Sequence, residues 1–128
     1  MSKSGVDPGL MRHGGLSYLE IPAADAAASS AFYERVLGWQ LDRSDPTRIK
    51  FADRTGHLIG RFCPGRPPMR DAGLMAYFYV ERIDQAVAAV VPQQGTVVRQ
   101  PYPEGNLLVA TVRDPAGNLI GLWQATSG

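Results

Sequence analysis

Apolar residues follow two rhythms along the chain, one suited to strands and one to helices. Leu16-Ser-Tyr-Leu-Glu-Ile21 is a short run of strand-favouring residues that ends at Pro22, which cannot donate to a sheet ladder. It predicts a strand. After Asp25, Ala28, Phe32 and Val36 recur four apart with Tyr33 and Leu37 beside them, an apolar stripe that fits one face of a helix. Asp25 is placed to cap its start and Gly38 to end it. Trp39 to Asp42, Ile49 to Ala52 and Leu58 to Phe62 then read as three short strands divided by Ser-Asp-Pro and Asp-Arg-Thr-Gly turns. The first half is therefore βαβββ.

The second half repeats that order. Met75 to Val80 predicts a strand, and Ile83, Ala86, Val87, Val90 and Val91 predict a helical stripe stopped by Pro92 and Gly95. Thr96 to Arg99, Leu107 to Val112 and Leu119 to Trp123 predict three more strands. Residues 63–73 carry three prolines and two glycines, too many for an element interior, and read as a linker. The repetition extends to residue identity: Asp53-Arg-Thr-Gly-His-Leu-Ile-Gly60 returns sixty-one positions later as Asp114-Pro-Ala-Gly-Asn-Leu-Ile-Gly121, with five of eight residues identical. A shift of fifty-seven aligns the two first strands and the two helix ends, and the four-residue difference is expected in the later hairpin loops.

Composition narrows the function. With 128 residues the chain has the length of one domain, so the two halves must share a core. A formal net charge of +1, spread along the chain, gives no electrostatic reason for nucleic-acid or membrane binding. No apolar run is long enough to span a membrane, and Met1 to Met11 has no hydrophobic region like that of a signal peptide, so a cytoplasmic protein is expected. The single cysteine, Cys63, reads as a small filler. Residues 1–12 read as a flexible tail. Residues 13–125 form the domain, with module one at 13–62, the linker at 63–73 and module two at 74–125.

Paired βαβββ units joined by a Pro/Gly linker, with Phe32-Tyr33-x-x-Val36-Leu37-Gly38-Trp39 closing the first helix and Asp114-Pro-Ala-Gly117 before the last strand, resemble the vicinal oxygen chelate superfamily. That group includes glyoxalase I, extradiol dioxygenases, fosfomycin-resistance enzymes and bleomycin-binding proteins. The resemblance implies an α+β fold in which two βαβββ modules form a curved mixed sheet with helices on the outer face. It also implies a homodimer, and four metal ligands from the first and last strands of the two modules. Counted from Asp25, Asp53 and Asp114, three of those ligand positions fall on Tyr18, Gly60 and Gly121, and the fifty-seven-residue shift from Tyr18 gives Met75 as the fourth. Neither glycine has a donor side chain, and His13 and His57 lie elsewhere and read as surface histidines. No metal or other cofactor is expected.

Side chains alternate along a strand, so residues two apart from each ligand position share its face. The expected cavity face is Leu16, Tyr18 and Glu20; Leu58, Gly60 and Phe62; Met75, Tyr77 and Tyr79; and Leu119, Gly121 and Trp123. The opposite parity, including Leu19, Ile21, Ile59, Phe78, Val80, Ile120 and Leu122, should pack under the helices. Glu20 is the one carboxylate on the expected face. It is either a desolvated general acid or base, or a rim charge paired with Arg61 or Arg99. Arg66 and Arg70 read as solvated charges. Three functions follow: a metal-free protein binding an apolar or aromatic small molecule, an enzyme of the same superfamily acting through Glu20, a tyrosine or an unrecognised metal site, or a module whose main role is association with another protein.

Overall fold

A computed structural model describes residues 6–71 and 73–126. The first module runs β1 (Tyr18–Pro22), α1 (Ala26–Leu37), β2 (Gln40–Asp42), β3 (Lys50–Ala52) and β4 (Ile59–Cys63). The second runs β5 (Ala76–Tyr79), α2 (Ile83–Ala88), β6 (Thr96–Glu104), β7 (Leu107–Arg113) and β8 (Leu119–Ala125). Each module keeps its strands in its own four-stranded mixed sheet, in the orders β1-β4-β3-β2 and β5-β8-β7-β6, with the first and last strands parallel. The fold is α+β, as the paired patterns predict.

Both helix termini of α1 follow from the sequence. Asp25 accepts a hydrogen bond from the Ala28 N–H at 3.1 Å, and Gly38 takes the left-handed conformation (φ 75°) that lets the chain turn out of the helix. The second helix is shorter than its apolar stripe. It ends at Ala88, after which turns run to Gln94, so Val90 is fully buried while Val91 is exposed. β6 is longer than predicted, running through Pro101 and Pro103; it lies at a sheet edge, where missing N–H donors are tolerated. The expected tail is partly built into the fold. Pro8–Leu10 form a 3-10 turn capped by Asp7, and the carbonyl of Gly9 lies 3.1 Å from His57 Nδ1. Residues 1–5 lie outside the described residues.

The two modules share one core. Tyr33 of α1 stacks on Trp39 (centroids 4.7 Å apart), which stacks on Phe51 (4.4 Å), while Phe78 of the second module meets both Tyr33 and Trp39 edge-on. Phe32, Phe62, Val90, Val112 and Leu122 complete an interior drawn from both sheets and both helices. Such close-packed aromatic contacts fix the modules by shape as well as by apolar area.

A buried carboxylate ties the same elements together. Asp114, only 3% exposed, accepts the Tyr33 hydroxyl (2.8 Å), the Asn118 side-chain amide (2.8 Å) and the backbone N–H groups of Asn118 (2.9 Å) and Ala116 (3.0 Å). Asn118 also donates to the Pro22 carbonyl at 2.8 Å and accepts the Met69 N–H at 2.7 Å. Helix, first strand, linker and final hairpin thus meet in one hydrogen-bonded node. Burial raises the Asp114 pKa, and the donors oppose that rise. The raised value means that Asp114 favours folding most below its unfolded pKa, an advantage lost as pH rises through the folded one.

Tyr33→Phe removes a donor that supports the charged form of Asp114. Chemical denaturation should show a loss of about 1.5–3 kcal/mol near neutral pH, the usual worth of a hydrogen bond to a charged group. The loss should shrink near pH 4, where protonation removes the charge that the hydroxyl stabilises. An equal loss at both pH values would mean that the hydroxyl does not support the carboxylate.

Candidate functional site

Strand register decides which of the expected site residues meet. In the second module the parity holds. Tyr77 pairs with Gly121 and Tyr79 with Trp123, and adjacent pairing continues to Thr111 and Val109 of β7. Residues paired across a sheet project from the same side. The other parity, Ala110, Val112, Ile120 and Leu122, is buried beneath the helices. Tyr77 and Tyr79 are 55% and 56% exposed on the helix-free side, and Tyr79 meets Trp123 edge-on at 5.0 Å. Met75, half-buried, lies just before β5, two residues ahead of Tyr77.

In the first module the parity of β4 is reversed. Tyr18 pairs with Ile59 and Glu20 with Arg61, whereas Gly60 and Phe62 pair with the inward Leu19 and Ile21. Phe62 is 1% exposed in the core, and Gly60 lies against the Phe51 ring and the Leu19 carbonyl. Leu58 is buried too. Gly60, Phe62 and Leu58 therefore do not join Tyr18 and Glu20 on the helix-free side, while Leu16 and Tyr18 are exposed.

One turn residue causes the reversal. Ala52 pairs with Ile59 across residues 53–58, whereas Arg113 pairs with Leu119 across residues 114–118, one residue fewer. The Asp53 N–H accordingly donates to Leu58 O, and the Asp114 N–H to Asn118 O. The longer turn needs left-handed conformations at Arg54 (φ 73°) and Gly56 (φ 85°); in the shorter one, the left-handed residue is Gly117 (φ 99°). A one-residue offset turns every side chain of a strand to its other face. In space the counterpart of Gly121 is consequently Arg61, although sequence identity aligns Gly121 with Gly60.

That equivalence gives the two modules opposite chemistry at one place. In the second, the Tyr77 ring covers Gly121 and fills the space a side chain would take. In the first, the matching pair is an ion pair: Arg61 Nε lies 3.1 Å from Glu20 Oε2, and Arg66 Nη1 adds a 2.7 Å contact to Oε1. These two guanidinium partners hold the Glu20 carboxyl below its ordinary pKa. Glu20 is thus the paired rim charge and not a desolvated acid, and Arg66 is not a free solvated charge.

The donors for a divalent metal do not fit. Tyr18, Met75, Arg61 and Gly121 occupy the matching positions, and both oxygens of Glu20 already serve arginines. Among the described residues, no three His, Cys, Asp or Glu side chains are grouped to hold a cation. The aromatic side is open in a single chain. Two clefts of ≈ 610 and ≈ 680 Å³ are present: the first lies between the end of α1 and the start of α2 and has Tyr79 in its lining, and the second lies beside Asp25 and Ile49. No helix among the described residues is long and apolar enough to cross a membrane.

Comparison with known proteins agrees with this architecture. The model of the Glyoxalase/Bleomycin resistance protein/Dioxygenase superfamily matches residues 15–122. The protein named "Putative glyoxylase CFP32" from Mycobacterium bovis is 27% identical over 123 residues, covering 89% of this chain and 47% of its own. This chain therefore spans about half the length of that relative. A glyoxalase/bleomycin resistance protein/dioxygenase family enzyme from Burkholderia phytofirmans superposes with a TM-score of 0.70 at 22% identity, covering 88% of this chain and 99% of its own. TnmS3, an antibiotic binding protein from a Streptomyces species, superposes with a TM-score of 0.68 at 20% identity, covering 88% and 97%.

The two glycines separate the reversed strand from the regular one. Gly60→Ala would drive a methyl group into the Leu19 backbone and the Phe51 ring, whereas Gly121→Ala meets the ring of Tyr77, an exposed side chain. Gly60→Ala should cost about 3 kcal/mol or more in urea denaturation, and Gly121→Ala no more than about 1 kcal/mol. Equal costs would contradict the reversal.

Proposed function

Because the chain belongs to the Glyoxalase/Bleomycin resistance protein/Dioxygenase superfamily, we propose that it binds an apolar or aromatic small molecule without a metal, on the helix-free face of its second sheet. The observation that carries this reading is the exposure of two tyrosines on a face whose floor is already formed. Tyr77 and Tyr79 stand half in water beside Trp123, with Thr111 and Val109 next to them. Burying such rings against a planar ligand removes apolar area from water on both partners and adds preferred aromatic geometry. Gly121 keeps the strand low there, and Met75 extends the apolar edge. The antibiotic-binding description of TnmS3 supports a binding role on this fold.

Catalysis through Glu20 has less support, because its two arginine partners favour the charged carboxylate and occupy both oxygens. Tyr18 and Glu20 instead form the rim that the first module contributes. A second copy of the chain closes the open face in this proposal. CFP32 is matched over only 47% of its length, so two copies of this chain would supply a comparable length. Light scattering at micromolar concentration should give the mass of a dimer; a monomer would remove the second wall.

Screening planar aromatic compounds against the purified protein tests the reading. A bound compound should lose about tenfold or more in affinity on Gly121→Leu, a change that pushes the Tyr77 ring aside without entering the core. Tyr79→Ser should weaken binding in the same direction and provides a check should the first variant fail to fold. Unchanged affinity in both folded variants would place the ligand elsewhere.

A further inference from the structure

Two irregularities in β6 bring a cation to the far side of the same face. The pairing of β6 with β7 shifts register between Val97 and Arg99 and again between Arg99 and Tyr102. In a regular strand Arg99 and Tyr102, three apart, would project to opposite sides. With the shifts, Arg99 pairs with Thr111 and Tyr102 with Val109, so both stand on the helix-free side. Their contact confirms it, since the Arg99 guanidinium carbon lies 3.5 Å from the Tyr102 ring centroid.

The face therefore has two rows that cross the sheet. One runs Tyr77, Gly121, Thr111, Arg99; the other runs Tyr79, Trp123, Val109, Tyr102. Strand spacing of about 4.8 Å puts β6 and β8 about 10 Å apart, the span of two fused rings with one substituent. Aromatic side chains, with the Tyr77 ring lying over Gly121, stand on one flank, a guanidinium over a phenol ring stands on the other, and the small Thr111 lies between.

The charge of Arg99 is not neutralised within the described residues. Arg61 and Arg66 serve Glu20, Arg43 serves Glu34, and Arg113 serves Asp71; among the described residues no carboxylate lies within salt-bridge reach of Arg99. Glu104, the acid closest in sequence, takes a long 3.4 Å hydrogen bond from the Tyr102 hydroxyl. Stacking on Tyr102 orients the guanidinium and leaves its N–H edge for a planar acceptor, the geometry in which arginine binds carboxylates in pairs of hydrogen bonds.

We propose that the ligand of this face is an aromatic anion, its ring system on Tyr77, Tyr79 and Trp123 and its carboxylate or equivalent acidic group on Arg99. This rests on the binding reading above and adds the ligand's charge. Thr111, between ring and cation, supplies a hydroxyl for a further oxygen.

The test uses 2-naphthoate and its neutral counterpart 2-naphthamide, with binding followed by calorimetry. The wild-type protein should prefer naphthoate by about tenfold, the value of one charge-assisted contact. Arg99→Gln should abolish that preference while leaving naphthamide affinity within about twofold, and Arg99→Lys should restore part of it. If Gly121→Leu weakens both probes but Arg99→Gln leaves the preference intact, the face binds aromatics and the assignment of charge is overturned. If Gly121→Leu changes neither probe, or neither binds the wild type, the binding reading falls and the present inference with it. Arg99 is exposed, so its variants should keep the wild-type melting temperature.

Discussion

A single buried carboxylate constrains how the two halves of this chain fit together. An ionised group taken out of water is tolerable only when its lone pairs are met, and Asp114 is met by a helix hydroxyl, a neighbouring amide and two backbone N–H groups. Three of these donors come from the turn that carries Asp114, and the fourth, the Tyr33 hydroxyl, comes from the other module. Tyr33 brings α1 of the first module; Asn118 brings the end of β1 and the linker at Met69. The aromatic stack around Trp39 supplies the cohesion. The carboxylate supplies the alignment, because a small slide between modules would separate it from the Tyr33 hydroxyl and Asn118 from the Pro22 carbonyl.

The same turn motif is used quite differently in the other half. Asp53 folds back on Thr55, accepting its N–H at 3.0 Å and its hydroxyl at 2.7 Å, and remains at the surface. Duplication therefore supplied two copies of a hairpin, and only one holds the modules together. A similar division runs through the cross-strand positions: Glu20 with Arg61 in the first sheet, Tyr77 over Gly121 in the second. One half offers a charged, internally satisfied rim, the other an aromatic platform. Pseudosymmetry in the backbone has not been kept in the chemistry.

Much of this was legible in the sequence because the signals were local. Asp25 and Gly38 mark the ends of α1, the periodicity of Phe32, Tyr33 and Val36 gives its buried face, and the Pro/Gly-rich linker separates two recurring patterns. The parity of β8, and with it Tyr77, Tyr79, Gly121 and Trp123, also follows from counting. Counting failed at β4, where identity between Gly60 and Gly121 hid an additional residue inside the turn. It also gave no sign of Arg99 and Tyr102 sharing a side, since that depends on two register shifts in an edge strand. The ion pairs of Glu20 were legible only in part, as Arg61 is its cross-strand neighbour but Arg66 arrives from the linker. Alternation is reliable until the backbone gains or loses a residue, and apolar pattern alone does not mark where that happens.

The additional residue in the first hairpin sets the two halves apart more than any single side chain does. A substitution alters one side chain, but an insertion in a turn exchanges the inner and outer residues of a whole strand at once. Removing that residue would press Arg61 into the aromatic interior and bring Phe62 out to water. The hairpin thus acts as a parity switch within the repeat: its one-residue offset places a charged pair on the first sheet where the second carries an aromatic ring over a glycine.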